Sequence, residues 1–269
     1  MKSDGFKVLL ASQICCADIG GATMSSEWWN AWFSEYEKIA LYFADKAEKY
    51  HVEMLDVTAD WNIVGADPAK RPADYKERLE AIYAKVRTRY HGKLGRSFFL
   101  GGLAANIPDL WPKPSSMPFM KNADFFTVNW WVGITNKNNP TQAELNANVK
   151  KMFDARFAPL YDQYKKPIVL RQVAYPSIAG GLKGDIKVDD PATAMWEPYS
   201  DKYTLDLVGQ AMGFEALMIN IANAPYITGL YPFSYWPDDF PLSKEQNVRG
   251  KPAEEVLSQW YKFIVSAWQ

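Results

Sequence analysis

The chain is poor in the residues that build metal centres and covalent staples. Among 269 residues there are two cysteines, the adjacent Cys15 and Cys16, and two histidines, His51 and His91. Adjacent cysteines bridge only with strain, so no disulfide framework is available. Both histidines lie near the ends of predicted helices, away from where a ligand would bind. That position argues against a zinc site and against a nucleophile–histidine triad. No metal or organic cofactor is expected, because no ligand cluster has suitable spacing. The pair Gly101–Gly102 is too short for a dinucleotide fingerprint. Net charge is also missing: 30 basic residues meet 31 acidic ones, a balance of −1. Nothing electrostatic therefore calls for nucleic acid or an anionic membrane as partner. No apolar run reaches membrane-spanning length, and the opening MKSDGFKVLL lacks a charged-then-apolar secretion pattern. A cytoplasmic chain is the default expectation.

Aromatic residues, by contrast, are plentiful, with eleven Trp and fifteen Tyr. Aromatic faces stack on flat apolar partners, including the C–H faces of sugar rings, and they also fill cores. With 48% hydrophobic content the chain can bury a large core, and residues 1–269 are expected to form a single domain.

The sequence alternates strand-like and helix-like segments. Strands are predicted at 6–14, 52–58, 97–101, 124–131, 167–173 and 227–236. Helices are predicted at 26–50, 73–90, 141–164, 204–223 and 252–267, with Ser26 as the first N-cap and Pro252 in the last helix's first turn. In the first helix Trp29, Trp32, Phe33, Tyr36, Ile39, Ala40 and Phe43 recur at helical spacing and are expected to be core. Residues 107–119 are too proline-rich for regular helix, and 179–199 reads as a long loop at the ligand end. Strands alternating with helices imply a parallel sheet, and ligands of such folds sit at the carboxyl ends of the strands.

Three segments carry a resemblance. The run KPIVLRQVAYPS (166–177) resembles the seventh strand of TIM-barrel glycoside hydrolases of the large retaining clan. The run WWNAWFSEYEKIALYFADKAEKYHVEMLDVTADW (28–61) resembles their third helix and fourth strand. ITGLYPFSYWPDD (227–239) with NVRGKPAEEVLSQWY (247–261) resembles their eighth strand and final helix. The nearest pattern is that of β-mannanase-type endo-glycosidases. It implies an α/β fold, an incomplete TIM-type (β/α) barrel of about six parallel strands in which the first two strand–helix units have no counterpart. It further implies a carbohydrate ligand and, because the sheet edges would be open, a homodimer that covers them.

The resemblance places Gln172 where the family has its nucleophilic Glu, Ala174 where it has a glycine, and Asp60 where it has the general acid. An amide cannot ionise, so the ordinary two-carboxylate mechanism is not available. Asp238, Asp239 and Glu197 are possible partners for Asp60, whereas Asp56 and Arg171 are expected in packing or ion pairs. One of the adjacent Trp130 and Trp131 must face the helices. The expected sugar-binding set is Gln13, Trp61, Asn129, Trp131, Tyr175, Trp236 and Asp238. Three functions are compatible: a glycoside hydrolase with altered catalytic groups acting on a β-linked saccharide, a carbohydrate-binding pseudoenzyme, and a self-associating barrel fragment.

Overall fold

The computed structural model describes residues 7–12, 24–58, 71–100, 122–183, 199–235 and 241–267. Six strands lie in one sheet in chain order: β1 (Leu9–Ala11), β2 (Met54–Asp56), β3 (Lys93–Leu100), β4 (Phe125–Trp130), β5 (Ile168–Val173) and β6 (Ile227–Pro232). Between or after them run α1 (Ser26–Lys49), α2 (Tyr75–Arg87), α3 (Gln142–Met152), α4 (Ala158–Tyr164), α5 (Leu207–Ala222) and α6 (Pro252–Ala267). The strands are parallel and alternate with helices, so the architecture is the expected incomplete TIM-type barrel. By internal contacts the chain divides into two compact units, Met1–Phe98 with Pro112–Thr127, and Phe99–Trp111 with Val128–Gln269.

In the first unit, α1 is organised by its apolar stripe. Trp29, Phe33, Tyr36, Ala40, Ala44 and Ala47 are buried at helical spacing and meet Leu79, Ile82 and Val86 of α2 and Leu55 of β2. Trp29 sets its edge against Tyr75, with ring centres 5.7 Å apart. The helix cap is Ser25 rather than Ser26: its hydroxyl accepts the Trp28 N–H at 3.2 Å, which leaves Ser26 as the first helical residue. β3 begins at Lys93, earlier than expected. Gly95 permits this, since a Cβ there would lie 2.5 Å from the Phe125 ring of β4.

In the second unit, the segment expected as one helix over 141–164 is two helices joined by a π-turn at Phe153–Phe157. Pro159 sits in the first turn of α4. Its ring lacks an N–H and would press on a carbonyl one turn back, and the wider turn moves that carbonyl aside. The start of α3 is fixed by a reciprocal cap: Thr141 Oγ1 accepts the Glu144 N–H at 3.3 Å, and Glu144 accepts the Thr141 N–H at 2.9 Å. α5 packs against both α3 and α6, burying Phe214, Leu217, Met218 and Ile221. No helix among the described residues is long and apolar enough to cross a membrane.

Candidate functional site

The carboxyl ends of β4, β5 and β6 come together in the second unit. The Ala174 N–H donates to the Trp130 carbonyl at 3.3 Å, and the Phe233 N–H donates to the Val173 carbonyl at 2.9 Å. Trp131, just past β4, and Phe233, just past β6, are both half-buried, and their ring centres are 5.0 Å apart. The two rings thus meet across the end of β5. Trp130 faces the helices, with ring centres 6.0 Å from Phe153 and 5.9 Å from Phe157.

Gln172 occupies an irregular stretch of β5. Leu170 pairs with Leu230 and Val173 with Pro232, so β5 takes three steps where β6 takes two. That extra residue is a bulge, a device that re-aims a side chain at a strand end. Gln172 holds φ 51° there, in the left-handed region that a non-glycine residue enters only at a cost of about 1–2 kcal/mol. Ser234, one residue past Phe233, has φ 65°. The other two left-handed non-glycine residues, His51 and Lys165, sit at the ends of α1 and α4, where such a turn is ordinary helix capping.

Beside Gln172, the buried Arg171 donates from Nε to Oδ1 of the fully buried Asn129 at 3.0 Å. The other head atom of that amide, Asn129 Nδ2, has no hydrogen-bond partner among the described residues. A buried donor left this way costs about 1–3 kcal/mol unless a water or ligand meets it. Tyr175 is fully buried, its ring 5.6 Å from Phe214 and its hydroxyl accepting the Trp130 indole N–H at 2.6 Å. Burial pushes its ionisation upward, outweighing that hydrogen bond. Tyr175 therefore braces the site from behind and offers no exposed face.

The first unit carries a separate polar cluster where β2, β3 and β4 meet. Asp56 is fully buried and accepts the Thr58 N–H at 2.9 Å, the Thr127 hydroxyl at 2.7 Å and the Ser97 hydroxyl. Thr58 Oγ1 in turn accepts the Ser97 N–H at 2.8 Å and lies 3.1 Å from the Tyr83 hydroxyl, which reaches the Gly95 carbonyl at 3.2 Å. Burial is the main reason the Tyr83 hydroxyl is pushed up to about 12, with the Asp56 charge adding to it and Arg96 opposing. Asp56 is thus a structural tie between β2, β3 and β4.

Of the expected site residues, Gln172, Asn129 and Trp131 gather at or beside the end of β5, and Tyr175 lies behind them. Gln13, Asp60, Trp61, Glu197, Trp236, Asp238 and Asp239 lie outside the described residues. His51 and His91 precede β2 and β3, at the amino ends of the strands, and His91 Nδ1 is 3.0 Å from Glu48. Phe233 and the Ser97–Thr127 pair were not singled out by sequence. Phe233 follows directly on the strand and shares its aromatic run with Tyr231 and Tyr235, which is the one signal that could have marked it. Among the described residues no group of three His, Cys, Asp or Glu could hold a metal ion.

No protein-family model and no curated protein matches the sequence. Solved structures do match in fold. The GH113 β-mannanase AaManA from Alicyclobacillus acidocaldarius aligns with TM-score 0.68 and 19% identity, over 98% of this chain and 75% of that one. A second GH113 β-1,4-mannanase aligns with TM-score 0.66 and 18% identity, over 97% and 75%. A fungal β-1,4-galactanase aligns with TM-score 0.54 and 13% identity, over 97% and 79%. The fold of this chain is that of the TIM-barrel glycoside hydrolases.

Proposed function

We propose that the protein is glycoside hydrolase-like and binds a β-linked oligo- or polysaccharide at the carboxyl ends of its strands. Gln172 takes the position of the retaining clan's nucleophile and Asp60 that of its acid. Trp131 supplies an aromatic face, with Trp61 and Trp236 as further candidates, and Gln13, Asn129 and Asp238 supply polar contacts. The observation that carries this reading is the pairing of Trp131 with Phe233 across the bulged, left-handed end of β5. Backbone strain at a strand end beside half-buried aromatic rings is the pattern of a ligand site, since strain collects where a fold must present a group. An aromatic platform beside amides suits the alternating apolar and polar faces of a pyranose.

Because Gln172 cannot ionise, ordinary 2-hydroxy β-glycosides should bind and not turn over. The test is calorimetric titration with manno-, cello- and xylo-hexaose, alongside Trp131→Ala and Gln172→Glu. Binding of one series, weakened about tenfold or more by Trp131→Ala, is the expected result, as a stacking aromatic contributes about 1–3 kcal/mol. Gln172→Glu should gain hydrolysis of the bound series. Absence of binding to every series, or indifference to Trp131→Ala, overturns the reading.

A second proposal concerns assembly. Among the described residues β1 and β6 end the sheet order, so each presents one edge with no strand neighbour there. We infer a homodimer that covers these edges. Sedimentation at micromolar concentration should give twice the chain mass, and a monomer there removes the inference.

A further inference from the structure

Resting on the carbohydrate reading, we propose that a cavity beside the strand ends of the second unit holds a further, uncharged sugar unit of the bound chain. The cavity has a volume of about 180 Å³ and lies between the loop after β4, the loop after β5 and the first turn of α5. At roughly 30 Å³ per water it has room for about six waters, the space of one pyranose ring. Its floor is apolar, made by the buried Ile178 and Leu182 with Met212, and its rim carries Lys137, Asn138 and Asp206. The walls are tied to one another by backbone hydrogen bonds. The Ile134 and Thr135 N–H groups donate to the Leu182 carbonyl at 2.8 and 3.2 Å, and the Asp206 N–H donates to the Ser177 carbonyl at 2.9 Å. Gly181 allows the tight turn of the β5 loop, since a Cβ there would lie 2.4 Å from the Pro176 carbonyl oxygen. A cavity held open in this way costs little ordering on binding.

The charges around the cavity select the ligand. Asp206 caps α5, its Oδ1 accepting the Gly209 N–H at 2.8 Å, so a carboxylate already stands at the positive end of that helix and repels an anion. A carboxylate accepts up to about four hydrogen bonds, so Asp206 keeps acceptor capacity beyond its cap. Lys137 is paired with Glu144, which cancels its charge at the rim. The exposed Asn138 receives Lys183 Nζ on its Oδ1 at 3.2 Å, which leaves the donor end of the amide for other partners. An acceptor and a donor above an apolar floor match the adjacent hydroxyls and the C–H face of one sugar ring, with no charge asked of the ligand. Thr135, on the cavity wall, is four residues beyond Trp131, a stretch that spans at most about 14 Å. An oligosaccharide of a few units seated on the Trp131–Phe233 rings covers that distance.

The test is calorimetric titration of wild type, Asn138→Ala and Asp206→Asn with manno-, cello- and xylo-oligosaccharides from the disaccharide to the hexaose. Asparagine also caps a helix, so Asp206→Asn keeps the start of α5 while removing the carboxylate, and thermal unfolding checks that both variants fold. In wild type, affinity for the bound series should climb at least about tenfold from disaccharide to hexaose, as the longer chain engages the cavity as a second site. Each variant should lower hexaose affinity at least about fivefold and leave disaccharide affinity, which Trp131 sets, unchanged. Inorganic phosphate should not compete with the hexaose. Variants that bind every length as wild type does, or that lose all lengths equally, overturn the inference, as does competition by phosphate. In each of these cases hexaose binding that is weakened by Trp131→Ala leaves the carbohydrate reading standing. Failure of every saccharide to bind removes both.

Discussion

Replacing Asp56 by alanine tests whether one buried carboxyl group holds the ends of three strands. The group accepts from Thr58 N–H at 2.9 Å, from the Thr127 hydroxyl at 2.7 Å and from the Ser97 hydroxyl. In Asp56→Ala the two hydroxyls can satisfy each other, since they are already in contact. The Thr58 N–H cannot follow them, because Thr58 is buried and held by its own side chain. An orphaned buried donor costs about 1–3 kcal/mol, and each hydrogen bond to a charged acceptor is worth about 1.5–3 kcal/mol. With partial repair by the hydroxyls, a loss of about 3–5 kcal/mol is expected. For a chain of this size each kcal/mol moves Tm by roughly 2–4 °C, so Tm should fall by about 6–20 °C in thermal unfolding followed by circular dichroism. Asp56→Asn keeps an acceptor for Thr58 and offers donors that the hydroxyls can accept, so it should cost about 1–2 kcal/mol. Ser97→Ala should cost no more than that. If Asp56→Ala is as mild as Ser97→Ala, the carboxyl group is not the tie between the strands.

Three further outcomes follow from other parts of the molecule. Gly213→Ala in α5 should destabilise by about 1–3 kcal/mol in urea unfolding despite alanine's better helix propensity, because the new Cβ would lie 2.5 Å from Leu182 and 3.1 Å from the Tyr175 ring. Lys165→Gly should stabilise by about 0.5–1 kcal/mol, since Lys165 caps α4 in the left-handed region at φ 51° and its exposed pair with Asp162 contributes little. Burial raises the ionisation of Tyr83, Tyr90, Tyr175 and Tyr261, the first to about 12. A tyrosine whose folded-state value is raised favours the fold below pH 10 and loses that contribution as pH climbs further. Absorbance at 295 nm should therefore show these four ionising together with alkaline unfolding, and Tyr83→Phe should extend the folded range upward.

Much of the fold was legible because its signals are local. The alternation of strands and helices and the helix faces follow from periodicity: the stripe Trp29, Phe33, Tyr36 and Ala40 is read off at helical spacing and is buried as read. The features that escaped depend on partners distant in sequence. The bulge at Gln172 exists only relative to β6, and KPIVLRQV on its own looks like an unbroken strand. The adjacent Trp130 and Trp131 could be told apart only by register, and the choice is made by Phe153 and Phe157 across the helix layer. The π-turn is an intermediate case: Pro159 was visible, but whether it ends, kinks or widens a helix depends on how α4 must reach β5. For the site, the resemblance made Gln172 a candidate and strand-end position made Asn129 one, and burial then divided the aromatics, placing Tyr175 in packing and leaving Trp131 half-buried.

That division bears on what the site can do. The residues behind it form a stiff wall: Trp130 is bonded to Tyr175, Tyr175 is closed off by Phe214, and Gly213 lets the helix approach that ring. A wall of this kind is what allows a left-handed Gln172 to persist, because relaxing its backbone would shift Val173 and break the hydrogen bond from Phe233 that carries the second ring into place. The strain at Gln172 and the position of Phe233 are therefore coupled through one peptide. On the proposed function, a substitution that relieves the first, such as Gln172→Gly, should loosen the second and weaken binding of the hexaose series beyond the effect of Gln172→Ala, which removes the same side chain and keeps the strain.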